Sequence, residues 1–211
     1  MTSRLLIALA GLLFLLGYAT CTATAQNSKP DGGAPVADYQ QARKQYEKAA
    51  ATGDAKAMTA LGDLYYFGRG VTQDYQKARQ WFERGAAAGD AEGMNNLGYL
   101  YDLGKGVPQD YQKAREWYGK AAALGNPGAM SHLGYLYGQG LGVTQDYQVA
   151  KQWYEKAAAA EDAGAMDSLG VLYENGYGVP QSYQKAKEWY EKAAAAGNVD
   201  AQRRLRTLPN K

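Results

Sequence analysis

The side chains that could carry out a reaction are few. The chain has one histidine, His132, and one cysteine, Cys21. Ser131 adjoins His132, but neighbours on a helix point about 100° apart and do not face each other, so the two do not make a nucleophile with its base. Ser168 and Ser182 stand at variable or helix-cap positions. Carboxylates are plentiful, yet they sit where helices begin or in exposed pairs with lysine, and no two have the placement of a general acid and base. The four Gly-x-Gly segments (Gly68 and Gly70, Gly104 and Gly106, Gly140 and Gly142, Gly176 and Gly178) close helical patterns. A phosphate-binding loop would follow a strand. No enzyme activity and no cofactor or metal is expected. The four tryptophans, Trp81, Trp117, Trp153 and Trp189, could stack a ligand, but their flanking position on a helix predicts that they seal seams between neighbours.

What remains is the chemistry of recognition, namely hydrogen bonding and aromatic contact. Asn95 could bond an extended peptide, while Tyr99 and Tyr135 offer contact area. These residues must be held by helices. Alanine-rich runs such as Ala157 to Ala160 favour helix, and β-branched residues are scarce. Tyr39, Tyr75, Tyr111, Tyr147 and Tyr183 recur at a step of 36 residues, and Met58, Met94, Met130 and Met166 keep the same step. So do Leu61-Gly62, Leu97-Gly98, Leu133-Gly134 and Leu169-Gly170. A fixed period of this size without insertions predicts a stacked-repeat architecture.

Each repeat reads as two helices. The first, the A-type helix, starts at Asp54, Asp90, Asn126 or Asp162, whose side chains can accept from the orphan amides of the first turn. Met58, Leu61, Gly62 and Tyr65 then share one face. Gly-x-Gly ends the helix, and a valine (Val71, Val107, Val143, Val179) folds back on that end. The second, the B-type helix, starts at Asp74, Asp110, Asp146 or Ser182 and ends at Gly89, Gly125 or Gly197. Glu161 replaces that glycine in the third repeat, and a differently shaped turn is expected there, because a non-glycine residue is strained in the left-handed region. Gly62 and its equivalents cost helix stability. Their recurrence predicts close approach to the small Ala78-type position of the B-type helix. A first helix from Tyr39 to about Ala51, capped by Asp38, leads the array. A last one from Asn198, with Arg203, Arg204 and Arg206, closes it with a charged outer face.

The pattern Ala-Met-x-x-Leu-Gly-x-Leu-Tyr-x-x-Gly-x-Gly-Val, then Asp-Tyr-x-x-Ala-x-x-Trp-Tyr, is carried in the third repeat by Ala129-Met130, Leu133-Gly134, Leu136-Tyr137, Gly140, Gly142, Val143, Asp146-Tyr147, Ala150 and Trp153-Tyr154. It resembles the Sel-1-like repeat family, a relative of the tetratricopeptide repeats, over about residues 38 to 205. The resemblance implies an all-α, right-handed α-solenoid of about four helix-turn-helix repeats with capping helices, A-type helices lining its concave side. It also implies a protein-interaction scaffold. Members with a cysteine pair in each repeat have been linked to penicillin binding or β-lactamase activity, and this chain has no cysteine at any repeat position. On that frame the residues that vary from repeat to repeat become the candidate partner-binding face: Thr59, Asp63, Asn95, Tyr99, Asp102, Ser131, Tyr135 and Asp167. The charged residues along it are Lys56 against Asp63, Glu92, Asp102, Asp167 and Glu174. The expected partner is another protein or an extended peptide of polar or basic character. A cell-wall glycan is the alternative, and a β-lactam hydrolase a more distant one.

Charge supports no nucleic-acid role: 23 basic residues against 21 acidic ones give a net +2. Arg4 followed by the apolar run Leu5 to Leu16 is too short for a membrane span and suits a secretory signal. Ala23-Thr24-Ala25 supplies the small residues for cleavage, giving a signal peptide over 1–25, a flexible linker over 26–37 and the repeat domain over 38–208. Periplasmic or secreted localisation is expected. The alternative is a membrane-anchored lipoprotein acylated at Cys21, although Tyr18 and Thr20 are not the residues such sites usually carry.

Overall fold

A computed structural model describes residues 36–209. The described residues form ten helices and no strand. They are α1 (Val36–Ala51), α2 (Ala55–Phe67), α3 (Tyr75–Ala87), α4 (Ala91–Leu103), α5 (Tyr111–Ala123), α6 (Pro127–Gln139), α7 (Tyr147–Ala159), α8 (Ala163–Asn175), α9 (Tyr183–Ala195) and α10 (Val199–Thr207). The even-numbered helices from α2 are A-type and the odd-numbered ones B-type. The described residues divide into two compact units, one ending at Ala129 and one starting at Met130. In the first unit α1 packs on α2, α2 on α3, α3 on α4 and α4 on α5. In the second, α7 packs on α8, α8 on α9 and α9 on α10. The expected signal peptide over 1–25, with the candidate lipidation site Cys21, lies outside the described residues.

The caps form as their residue types dictate. Asp54, Asp90 and Asp162 accept from the third residue of their A-type helices, and Asn126 does the same for Ala129. Asp74, Asp110, Asp146 and Ser182 cap the B-type helices. α1 starts at Val36, so Asp38 lies inside its first turn, where its charge suits the positive end of the helix dipole.

The Gly-x-Gly pair has two separate duties. Gly104 is the left-handed cap of α4, with φ 66°, and its N–H returns to the Leu100 carbonyl. Gly106 is also left-handed, and a Cβ there would stand 2.8 Å from the Tyr75 carbonyl group. The second glycine therefore lets the loop lie against the start of the preceding B-type helix. Val71 and Val107 pack against the cores of their repeats. Trp81 and Trp117 pack against cores that include Ala50 and Ala78, residues of the preceding B-type helices.

Two expectations need correction. The helix glycine does not face the Ala78-type position. A Cβ on Gly98 would stand 2.6 Å from Tyr118 Cδ1, and Gly62, Gly134 and Gly170 meet Phe82, Tyr154 and Tyr190 in the same way. The glycine makes room for an aromatic ring. The turn at Glu161 is also not different in shape. Glu161 takes φ 62°, and its N–H bonds the Ala158 carbonyl while that of Asp162 bonds Ala157. These are the two bonds that Gly89 and Asp90 make to Ala86 and Gly85. The paired bonds hold a glutamate where glycine would be relaxed.

Candidate functional site

The varying residues of the A-type helices fall into three classes of contact. In the column of Thr59, Asn95, Ser131 and Asp167 the side chains are buried, and Thr59, Ser131 and Asp167 reach the following repeat. The Thr59 hydroxyl donates to Asp90 Oδ2 at 2.6 Å, and the Ser131 hydroxyl donates to Asp162 Oδ1 at 2.9 Å. Both acceptors are the caps of the next A-type helix. In the second repeat, Glu92 carries the link. It faces Asn95 Nδ2 at 3.5 Å and accepts from Asn126 Nδ2 at 2.9 Å. At the last position Asp167 pairs with Arg204 of α10 at 3.2 Å. Burial pushes the Asp167 carboxyl up to about 6, with Arg204 pulling the other way.

In the second column a residue of the A-type helix is matched to the aromatic ring of the B-type helix in the same repeat. Asp102, 2% exposed, accepts from the Tyr118 hydroxyl at 3.1 Å. Glu174 accepts from the Tyr190 hydroxyl, and burial together with this bond pushes the Tyr190 phenol up. Where the ring is Phe82 the matching residue is Tyr66, and where it is Tyr154 the residue is Gly138. Tyr135 is buried as well.

The third class is the more open one. Asp63 and Tyr99 are half-buried, and they face one another's neighbours on α2 and α4. Asn96 Nδ2 donates to Asp63 Oδ1 at 3.1 Å. Burial, then the nearby Glu92 charge, pushes the Asp63 carboxyl up to about 7, with Arg69 opposing. The Tyr66 ring lies 6.2 Å from Tyr99 and 4.8 Å from Phe67, and Phe67 and Glu92 are exposed. An acidic group thus stands beside a partly open aromatic surface. The structure therefore divides the predicted face: Asp63 and Tyr99 keep solvent access, whereas Thr59, Asn95, Asp102, Ser131, Tyr135 and Asp167 are buried.

His132 is buried, and burial pushes its imidazole down to about 4, so it is neutral near pH 7. Among the described residues no group of three or more His, Cys, Asp and Glu side chains could hold a metal. No helix among them is long and apolar enough to cross a membrane. Sequence reasoning missed one recurrent residue. Gln73, Gln109, Gln145 and Gln181 each donate from Nε2 to a carbonyl near the end of the A-type helix, at 2.7–2.8 Å, and so fix the connecting loop. Their unbroken 36-residue step was the available signal.

Helix pairs repeated at constant length, each capped and seamed alike, define the α-solenoid class. The chain belongs to the Sel1 repeat family, whose model matches residues 28–54, 55–90, 91–126, 127–162 and 163–198. It is similar to a Sel1 repeat protein from Oxalobacter formigenes, with 35% identity and a TM-score of 0.76 over 94% of this chain and 77% of that one. It is also similar to c5321, a protective antigen of uropathogenic Escherichia coli with the same repeat fold, at 37% identity and TM-score 0.71, over 90% of this chain and 40% of that one. Immunity protein Pa5087 from Pseudomonas aeruginosa is 28% identical, with TM-score 0.60, over 88% of this chain and 68% of that one. No curated protein matches the chain.

Proposed function

We propose that the chain is an exported, non-catalytic scaffold that binds another protein, or an extended peptide of polar or basic character, through its A-type helices. Sel1 repeat proteins generally serve as protein-interaction scaffolds. The observation that carries the finer reading is the surface between α2 and α4. There Asp63 and Glu92 share a pair of helices with the ring contacts of Tyr66 with Phe67 and Tyr99, and Arg69 of the chain itself already lies 4.6 Å over the Phe67 ring, a combination suited to a lysine or arginine with its aliphatic stem. Export rests on the sequence of residues 1–25, and membrane attachment would need acylation of Cys21.

The test is capture of binding proteins from the native envelope by the full chain and by a Tyr99→Ala, Asp63→Asn double variant. Loss of a specific protein from the variant is expected. Equal capture by both forms would remove the α2–α4 surface from consideration. Retention on purified peptidoglycan without a protein partner would favour the glycan reading instead. Turnover of nitrocefin would overturn the non-catalytic reading.

A further inference from the structure

The B-type helices α3, α5, α7 and α9 are covered in one way. In each an aromatic ring (Phe82, Tyr118, Tyr154, Tyr190) lies over a glycine of the A-type helix before it, so closely that an added Cβ would stand 2.3–2.7 Å from the ring. All four rings are at most 2% exposed. α1 carries the same surface one step earlier, with Tyr46 at the position of Phe82 and Ala42 at that of Ala78. Tyr46 packs on one side against the core of Ala50, Met58 and Leu61. Yet Tyr46 and Ala42 are only half-buried, where Phe82 and Ala78 are fully buried.

Among the described residues, which begin with α1 itself, no A-type helix precedes it. The ten residues before it, QNSKPDGGAP, hold two prolines, two glycines and no large apolar side chain, so their composition does not supply a Met-x-x-Leu-Gly face. α10 shows the contrast. There Gln202 replaces the methionine and Arg206 the helix glycine, and both are exposed. That face is made polar and rejects a further ring. The α1 face keeps the aromatic residue and the small residue of a covered helix.

We propose that the outer face of α1, centred on Tyr46 and Ala42, is a docking surface for a helix of a partner protein, one that presents a Leu-Gly pair with the glycine beneath the Tyr46 ring. The occupant is inferred from the way this chain covers the same face in its other B-type helices. The proposal does not depend on the α2–α4 surface.

The probe is the α4 sequence itself, AEGMNNLGYLYDL, made as a helix-stapled, dye-labelled peptide and titrated by fluorescence anisotropy into the full chain. Saturable binding is expected. Tyr46→Glu should weaken it by about tenfold or more, as loss of a central aromatic anchor does, and Ala42→Arg should act likewise, with circular dichroism confirming that both variants fold. Tyr46→Phe should bind as the parent does. A peptide carrying Gly98→Leu should lose binding, because the leucine occupies the place of the ring. The proposal is overturned if no saturable binding occurs, if the Gly98→Leu peptide binds as well as the parent, or if Tyr46→Glu has no effect. Concentration-dependent dimerisation abolished by Tyr46→Glu would overturn it in favour of a second copy as occupant.

Discussion

Glu161 occupies a left-handed turn that glycine fills at Gly89, Gly125 and Gly197. A Cβ in that region costs about 1 kcal/mol, and two backbone bonds hold it there. Glu161→Gly should therefore stabilise the protein by roughly 0.5–1 kcal/mol, read as a higher denaturant midpoint at unchanged slope. Asp63 is held against a different force. Its carboxyl is raised to about 7 by burial and by Glu92, while in the unfolded chain it returns to the ordinary carboxylate range. Between about pH 4 and 7 the folded state keeps a proton that the unfolded state releases. The contribution of Asp63 to stability is thus fully present at the acid end and is lost as pH rises through 7. Asp63→Asn should flatten this slope and raise the melting temperature at pH 8 by more than at pH 5, where only part of the contribution has been lost. A parent protein whose stability rises from pH 5 to 8, with no difference in the variant, would refute the assignment.

At the scale of the element, the crossing of α4 with α5 is set by one missing side chain. Gly98 lets the Tyr118 ring lie on the backbone, and its bond to Asp102 then fixes the ring in place. Gly98→Leu should destabilise by roughly 1–3 kcal/mol through overpacking, visible in thermal unfolding. Gly119→Leu is the control, since nothing lies within 4 Å of a Cβ there. The helices, caps and seam tryptophans were legible because each is a repeated response to a local need: an acceptor at Asp90, a left-handed turn at Gly104, an apolar stripe through Leu97 and Tyr101. The reach of a side chain was not legible. Thr59 and Ser131 have the size and polarity of solvated residues, and only the approach of the next helix brings Asp90 or Asp162 within bonding distance. Variation between repeats looked like an exposed face. In large part it is a set of matched contacts, Asp102 with Tyr118 and Glu174 with Tyr190, whose partners lie 16 residues away. Asp63 and Tyr99 are the predicted residues for which a partly exposed position was also found.

For the molecule as a whole, the constant period means that a repeat can be removed without breaking a helix. Deleting residues 91–126 joins the Asp90 cap to Pro127 at the first position of the next A-type helix and keeps every ring-to-glycine match within its own repeat. Because stability in repeat proteins is approximately a sum of local terms, the shortened chain should fold with the same helicity per residue by circular dichroism. Its dependence of unfolding free energy on denaturant should fall roughly in proportion to length. A collapse to an unfolded spectrum would mean that the second repeat supplies something its neighbours cannot. The paired contacts within repeats also bear on how the chain avoids folding incorrectly. Near-identical repeats invite a slip in which a B-type helix closes on the A-type helix of the wrong repeat. Such a slip would set Phe82, which has no hydroxyl, over Asp102, and leave a buried carboxylate without the donor that Tyr118 provides. The Phe82 repeat is therefore set apart from the two that pair a tyrosine with a carboxylate, and this difference between copies disfavours that mispairing during assembly.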